Sequence, residues 1–135
     1  MFWRAHRLAY RVSGGRVGLR RPRPGRWGML RLTTVGRRSG QERSVVLAYI
    51  EDGPNLVALA MNGWADAEPA WWLNLQAQPD ATVDLATGSY AVSARAAEGA
   101  ERTRLWAEWQ QVSQRLDEHA ALRSSPTAIV VMQPR

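Results

Sequence analysis

At 135 residues the chain is long enough for one hydrophobic core and too short for two. The absence of cysteine excludes disulfides, a thiolate nucleophile and cysteine-ligated zinc, and fits a reducing compartment such as the cytoplasm; two distant histidines, His6 and His119, are too little for a metal site. All 18 basic residues are Arg, and 12 of them lie in residues 1–43 beside a single acid, giving that stretch +11 against −5 for the remainder.

Codon bias explains Arg in place of Lys, but not where the arginines sit. The polarity predicts an anionic partner on the N-terminal side: a polyphosphate, a polycarboxylate, nucleic acid or an anionic membrane. No apolar run approaches the roughly 20 residues of a membrane span, and the N-terminus lacks a signal-peptide core.

In chain order, residues 2–13 place Trp3, Ala5, Leu8, Ala9 and Val12 on one helical stripe and Arg4, Arg7 and Arg11 on the other side. This reads as a basic amphipathic helix ended by Gly14 and Gly15. Residues 14–27, rich in Gly, Pro and Arg without a period, read as an arm outside the core. The division expected is therefore 1–27, helix and arm, and 28–135, the folded domain.

Segments 28–35 and 44–50 are apolar and β-branched, with GRRSG (36–40) as the hairpin loop between them. DGPN (52–55) is a turn, 56–61 a third strand, and Asn62-Gly63 its break. Pro69 opens a helix to about Gln76. Strands at 81–86 and 89–96 follow, joined by Thr87-Gly88. A longer helix is expected over 98–122 with Leu105, Trp109, Val112 and Leu116 on one stripe, then a last strand at 127–132. About six strands with turn-rich junctions and inserted helices predict a small, mainly antiparallel β-barrel.

Three constellations carry chemistry. In GRRSG the terminal glycines permit a tight turn that aims successive N–H groups into one concavity, with Arg37, Arg38 and Ser39 projecting there and Arg43 following. Arg donates paired hydrogen bonds to phosphate; the alternative is a solvated hairpin. In the helix opening, Trp71 and Asn74 share one face and Trp72 and Leu75 another. An Asn beside an indole suits a ring carbonyl or hydroxyl of a flat ligand, although paired tryptophans also suit a core and Asn74 a nearby cap. Ala58 to Trp64, small residues running into a break, admits either a ligand's approach or tight packing. No GxGxxG, GxxxxGK[ST] or HExxH occurs, and Ser39 and Ser44 have no nearby His to activate them.

Taken together, LTTVGRRSGQERSVVLAY (32–49), the DG turn, LAMNG (59–63) and EPAWWLNLQAQPDATVDL (68–85) resemble the deazaflavin-dependent nitroreductase family of actinobacteria. The likeness is close over about residues 28–86 and looser at PTAIVVMQP (126–134). It implies a split β-barrel of the FMN-binding type holding coenzyme F420. By position, Arg37, Arg38 and Ser39 would hold the cofactor's phosphate. Arg43, Ser44, Val45, Val46, Leu47 and Ala48 would run along its ribityl chain and ring edge. Ala60, Met61 and Asn62 would line the ring, and Ala70, Trp71, Trp72, Leu73 and Asn74 would close the site.

The N-terminal arginines offer a counter-charge to the cofactor's oligoglutamate. The activity implied is hydride transfer from reduced F420 to a quinone, nitro compound or activated C=C. Val46 replaces a family proline and Asn62 a frequent lysine. The pocket tyrosines of some relatives have no counterpart in residues 112–124, where His119 reads as a surface histidine. No catalytic residue is assigned. The runner-up cofactor is FMN, and the competing class is a non-catalytic binder using its arginine arm on nucleic acid or membrane. The partners expected are a small-molecule substrate, an anionic inner-membrane surface against helix 2–13, no specific nucleic acid, and a second copy in a homodimer.

Overall fold

The structure, a computed structural model, describes residues 18–135. The expected basic helix at 2–13 lies outside the described residues. Six strands, β1 (Gly28–Val35), β2 (Glu42–Asp52), β3 (Asn55–Leu59), β4 (Asp80–Leu85), β5 (Gly88–Ala96) and β6 (Ile129–Pro134), close a barrel in the order β1-β2-β3-β6-β5-β4, with antiparallel neighbours throughout. Helix α1 (Ala70–Ala77) sits between β3 and β4, and α2 (Gly99–Val112) and α3 (Leu116–Ala120) between β5 and β6.

The two-residue period of the strands decides what each face buries. Along β1, Leu30, Leu32 and Thr34 are buried while Arg31 and Thr33 are only partly covered. The inward set meets Tyr49, Leu56, Ala58, Val83, Val92, Val130 and Met132, and Trp71, Trp72 and Leu75 of α1 join the same cluster. A second cluster sets Ile50, Val57, Leu59, Ile129 and Val131 against Leu105, Trp109 and Leu116 of α2 and α3. Each such buried side chain contributes roughly 1.5–3 kcal/mol over exposure.

Two local expectations change. The helix expected over 98–122 is two helices, interrupted at residues 113–115. Asp117 accepts from Trp106 Nε1 at 2.7 Å and from Gln110 Nε2 at 2.8 Å, contacts that require the chain to double back onto α2. Pro69, expected as the first helical residue, is the extended N-cap of α1 at ψ 144°. The end of the presumed arm is also packed. Leu19 is buried, the Arg20 and Met29 backbones exchange hydrogen bonds of 3.2 and 2.9 Å, and Trp27 lies 6.3 Å from Trp109, ring to ring.

One mismatch positions the site. β2 has 11 residues and β3 only 5. Only Ile50, Glu51 and Asp52 of β2 pair with β3, at Val57, Leu56 and Asn55, whereas β1 accompanies β2 from Glu42 to Tyr49. Among the described residues, the β3-facing edge of residues 43–48 therefore has no strand partner. Alternate residues there turn backbone N–H and C=O groups toward open space.

Candidate functional site

That unpaired edge borders a cleft of about 930 Å³, within the range of small-molecule and cofactor sites. The register of β1 on β2 runs from Val35↔Glu42 to Gly28↔Tyr49. It sets GRRSG at one end of the cleft and Trp27, which precedes Gly28, at the other.

The loop end is cationic and built on close contacts. Gly36 N–H donates to Gln41 C=O at 2.7 Å and Gly40 N–H to Gly36 C=O at 2.8 Å, closing a single turn. Ser39 Oγ accepts the Gln41 N–H at 3.2 Å and lies against Gly36, where a Cβ would come within 2.8 Å of it. A side chain at position 36 would displace that hydroxyl and crowd the Gln41 carbonyl, 3.1 Å from the same Cβ position, so glycine suits the loop's shape. The N–H groups of Arg38 and Ser39 have no partner among the described residues.

Asn74 holds this loop to the barrel. Its Oδ1 accepts from Arg37 N–H at 3.1 Å and Arg37 Nη1 at 3.2 Å, and its Nδ2 donates to Thr34 Oγ1 at 3.1 Å. At 4% exposure the carboxamide is committed to protein partners. It positions the loop from a place on the cleft's own lining.

Of the seventeen residues the resemblance pointed to, fourteen line the cleft; Ala60, Trp72 and Leu73 do not. Successive helical residues point about 100° apart. With Trp71 and Asn74 on the cleft, Trp72 is turned into the barrel core and Leu73 away from the cleft. Ala60 is fully buried at the end of the third strand, its N–H on Ala128 C=O.

The far end is aromatic. Trp27, Trp64, Trp109 and His119 line it together with Leu59 and Met61. His119, expected at the surface, is half-buried with its ring 5.9 Å from that of Trp64 and inclined by 31°. The small residues running into a break at Ala58 to Trp64 admitted either a ligand's approach or tight packing, and did not say which side chain would face the cleft. Trp109 was legible only as part of a core stripe.

Arg123 had no sequence signal at all. Its side chain is fully buried. It donates to the carbonyls of Ala65 (2.9 Å), Ala60 (3.4 Å) and Asp66 (3.1 Å), to Thr127 Oγ1 (3.0 Å) and to Glu68 Oε1 (2.7 Å). Five bonds match the five donors of a guanidinium. They fix the segment between β3 and α1 that forms one wall of the cleft.

The family model for F420H(2)-dependent quinone reductase matches residues 2–134. The chain belongs to that family. An F420H(2)-dependent quinone reductase of Mycobacterium tuberculosis strain H37Rv is 30% identical over 138 residues, covering 98% of this chain and 89% of the relative. A second M. tuberculosis relative, named a putative F420H(2)-dependent quinone reductase, is 27% identical and covers 88% of this chain and 97% of its own length. Among solved structures, an F420-H2-dependent reductase aligns with TM-score 0.68 and 25% identity over 82% of this chain and 95% of its own. A protein solved as a domain-swapped dimer aligns with TM-score 0.74 over 97% of both chains at 22% identity, a likeness of fold.

The residues present fit a deazaflavin. Seven described arginines pair with carboxylates: Arg21, Arg31, Arg95, Arg104, Arg115, Arg123 and Arg135. Arg37, Arg38 and Arg43 are not among them. Three guanidiniums without a carboxylate at one end of the cleft, and indoles at the other, suit a long molecule with an anionic group and a flat ring.

Proposed function

We propose that this protein is an F420H2-dependent reductase that transfers hydride to a quinone or a similar organic acceptor within the cleft beside β2. The observation that carries the reading is the trio of arginines without carboxylate partners at the end of a cleft whose other end is aromatic. Arg37, Arg38 and Ser39 would hold the cofactor's phosphate. The unpaired edge of residues 43–48 would offer backbone donors and acceptors along its length. Met61, Asn62, Ala70 and Trp71 would complete the walls around the ring.

A bound, reduced deazaflavin supplies a hydride from its ring carbon. The chain's share is orientation and dryness. Asn74 keeps Arg37 and its loop in place, Arg123 keeps the opposite wall in place, and the indoles exclude water from the aromatic end. Absorbance titration with deazaflavin and with FMN tests the reading. Deazaflavin should bind more tightly, and longer oligoglutamate tails more tightly still at low salt. Equal affinity for both cofactors without salt dependence would overturn it.

A homodimer is part of the same reading, checked by light scattering. Among the described residues no helix is long and apolar enough to cross a membrane. Contact of the N-terminal arginines with an anionic bilayer is tested by vesicle sedimentation.

A further inference from the structure

We propose that the arginine hairpin of residues 20–29, together with Leu122, is a docking surface for an anionic phospholipid bilayer and sets the aromatic end of the cleft against the lipid. The inference rests on the reductase reading above for its purpose, and it gives an occupant to arginines that the reading leaves without one.

The hairpin is a built element. Arg23 and Arg26 exchange two backbone hydrogen bonds of 2.9 Å around Pro24-Gly25. Pro24 at the first corner and Gly25, at φ 73°, at the second suit a type II turn. A bridge from Arg20 to Met29 seats its base on β1. The crossing is so close at Gly28 that a Cβ there would come within 2.6 Å of the Arg20 carbonyl oxygen. The hairpin is thus in place before any partner arrives, which lowers the cost of ordering it on contact.

Much of its charge has no internal use. Residues 18–27 hold four arginines and no acid. Arg21 pairs with Glu51 at 3.2 Å, and Arg20 Nε donates to the Trp27 carbonyl. Arg23 and Arg26 are exposed and have no carboxylate partner among the described residues, although Glu51 and Glu108 line the same shallow groove of about 300 Å³.

Position excludes the cofactor as their anion. GRRSG, with the phosphate proposed there, stands at one end of the cleft. Trp27, which directly follows Arg26, lines the other end, its ring 6.3 Å from that of Trp109. The hairpin therefore flanks the end left for an acceptor.

Leu122 adds an apolar anchor at that end. It is the most exposed large hydrophobic residue among those described, at 70%, and its N–H donates to the carbonyl of His119, which lines the cleft. Guanidiniums on phosphate oxygens and an apolar side chain below them are the two components of interfacial binding. A bilayer satisfies both; free phosphate or nucleic acid satisfies only the first. A lipophilic quinone dissolves in the same bilayer, so docking brings the cleft to its acceptor.

Sedimentation of the full chain with vesicles at low salt, without cofactor, is the primary measurement. Vesicles of phosphatidylglycerol mixed with phosphatidylcholine are compared with phosphatidylcholine alone. An arginine beside an anionic surface is worth about fivefold in partitioning, so Arg23→Gln/Arg26→Gln should bind the mixed vesicles roughly tenfold or more weakly than wild type. Leu122→Ser should bind them about threefold more weakly. Both variants should keep the wild-type melting temperature, deazaflavin affinity and turnover of menadione in solution, while KM rises for a quinone dissolved in the vesicles. The proposal is overturned if wild type binds both vesicle types alike or neither, or if the double variant partitions normally. It is equally overturned if inorganic phosphate or mixed-sequence duplex DNA engages these arginines and vesicles do not. A wild type that docks through the hairpin yet binds no deazaflavin would keep the surface and sink the cofactor reading instead.

Discussion

Asn74 and Arg37, 37 residues apart in sequence, are joined twice through one oxygen: Asn74 Oδ1 accepts both the backbone N–H and the guanidinium of Arg37. The same carboxamide reaches back to Thr34, so one side chain ties together the end of β1, the arginine loop and α1. Replacing it by Ala should destabilise the fold by about 1–3 kcal/mol, the cost of leaving buried partners unsatisfied, and weaken deazaflavin binding by loosening the loop. Asn74→Asp keeps the acceptor for Arg37 but loses the donor to Thr34 and brings a negative charge to the loop. Thermal melts with and without deazaflavin should show both variants destabilised, with the Asp variant gaining least from the ligand.

Arg38 carries no comparable structural duty. Arg38→Ala should weaken cofactor binding by about 1.5–3 kcal/mol, the worth of a charge-assisted hydrogen bond, while the melting temperature of the free protein stays within a degree or two. A variant that melts early yet binds normally would make the loop structural.

For Arg123 the expectation is reversed. Arg123→Met strips five hydrogen bonds and leaves Glu68 and several carbonyls without their donor, so stability should fall by about 3 kcal/mol or more. Arg123→Lys keeps the charge but not the planar fork and should recover only part of that loss. Urea unfolding of the two variants checks the order.

Tyr49 gives a pH signature. Burial in the barrel, reinforced by the nearby Glu51 charge, pushes its phenol up to about 12. The folded value exceeds the ordinary one of about 10. Its contribution to stability is therefore fully present below about pH 10 and disappears as pH rises through the folded value. The chain has no Lys to obscure that window. Tyr49→Phe should lose less stability than wild type between about pH 10 and pH 12, as read from melting temperatures across that range.

The strands were legible because their signals are local. The β1 range of 28–35 follows from an apolar run that ends at a glycine, and 89–96 from a two-residue turn and alternation. β2 begins earlier than its apolar run because Glu42 and Arg43 are exposed at the hairpin end, where polar residues cost little. The arginine end of the cleft was legible for the same reason: one short stretch, residues 36–43, carries all three of its arginines. The aromatic end was not. Trp64 and His119 are 55 positions apart, on a loop and a short helix with no shared period, and only the fold brings them together. Arg123 is a lone basic residue in a loop, indistinguishable by sequence from a solvated one.

The length mismatch between β2 and β3 has a consequence for handling the protein. An unpaired strand edge is a template for other chains. Here Arg38 and Arg43 stand beside it on every copy, so copies repel one another through their guardian charges. Salt screens that repulsion, whereas a ligand lying along residues 43–48 would cover the template itself. Ligand-free protein should therefore self-associate on raising the ionic strength, the opposite of ordinary charge-driven aggregation, and filling the cleft should act as a stopper on the open seam of the barrel.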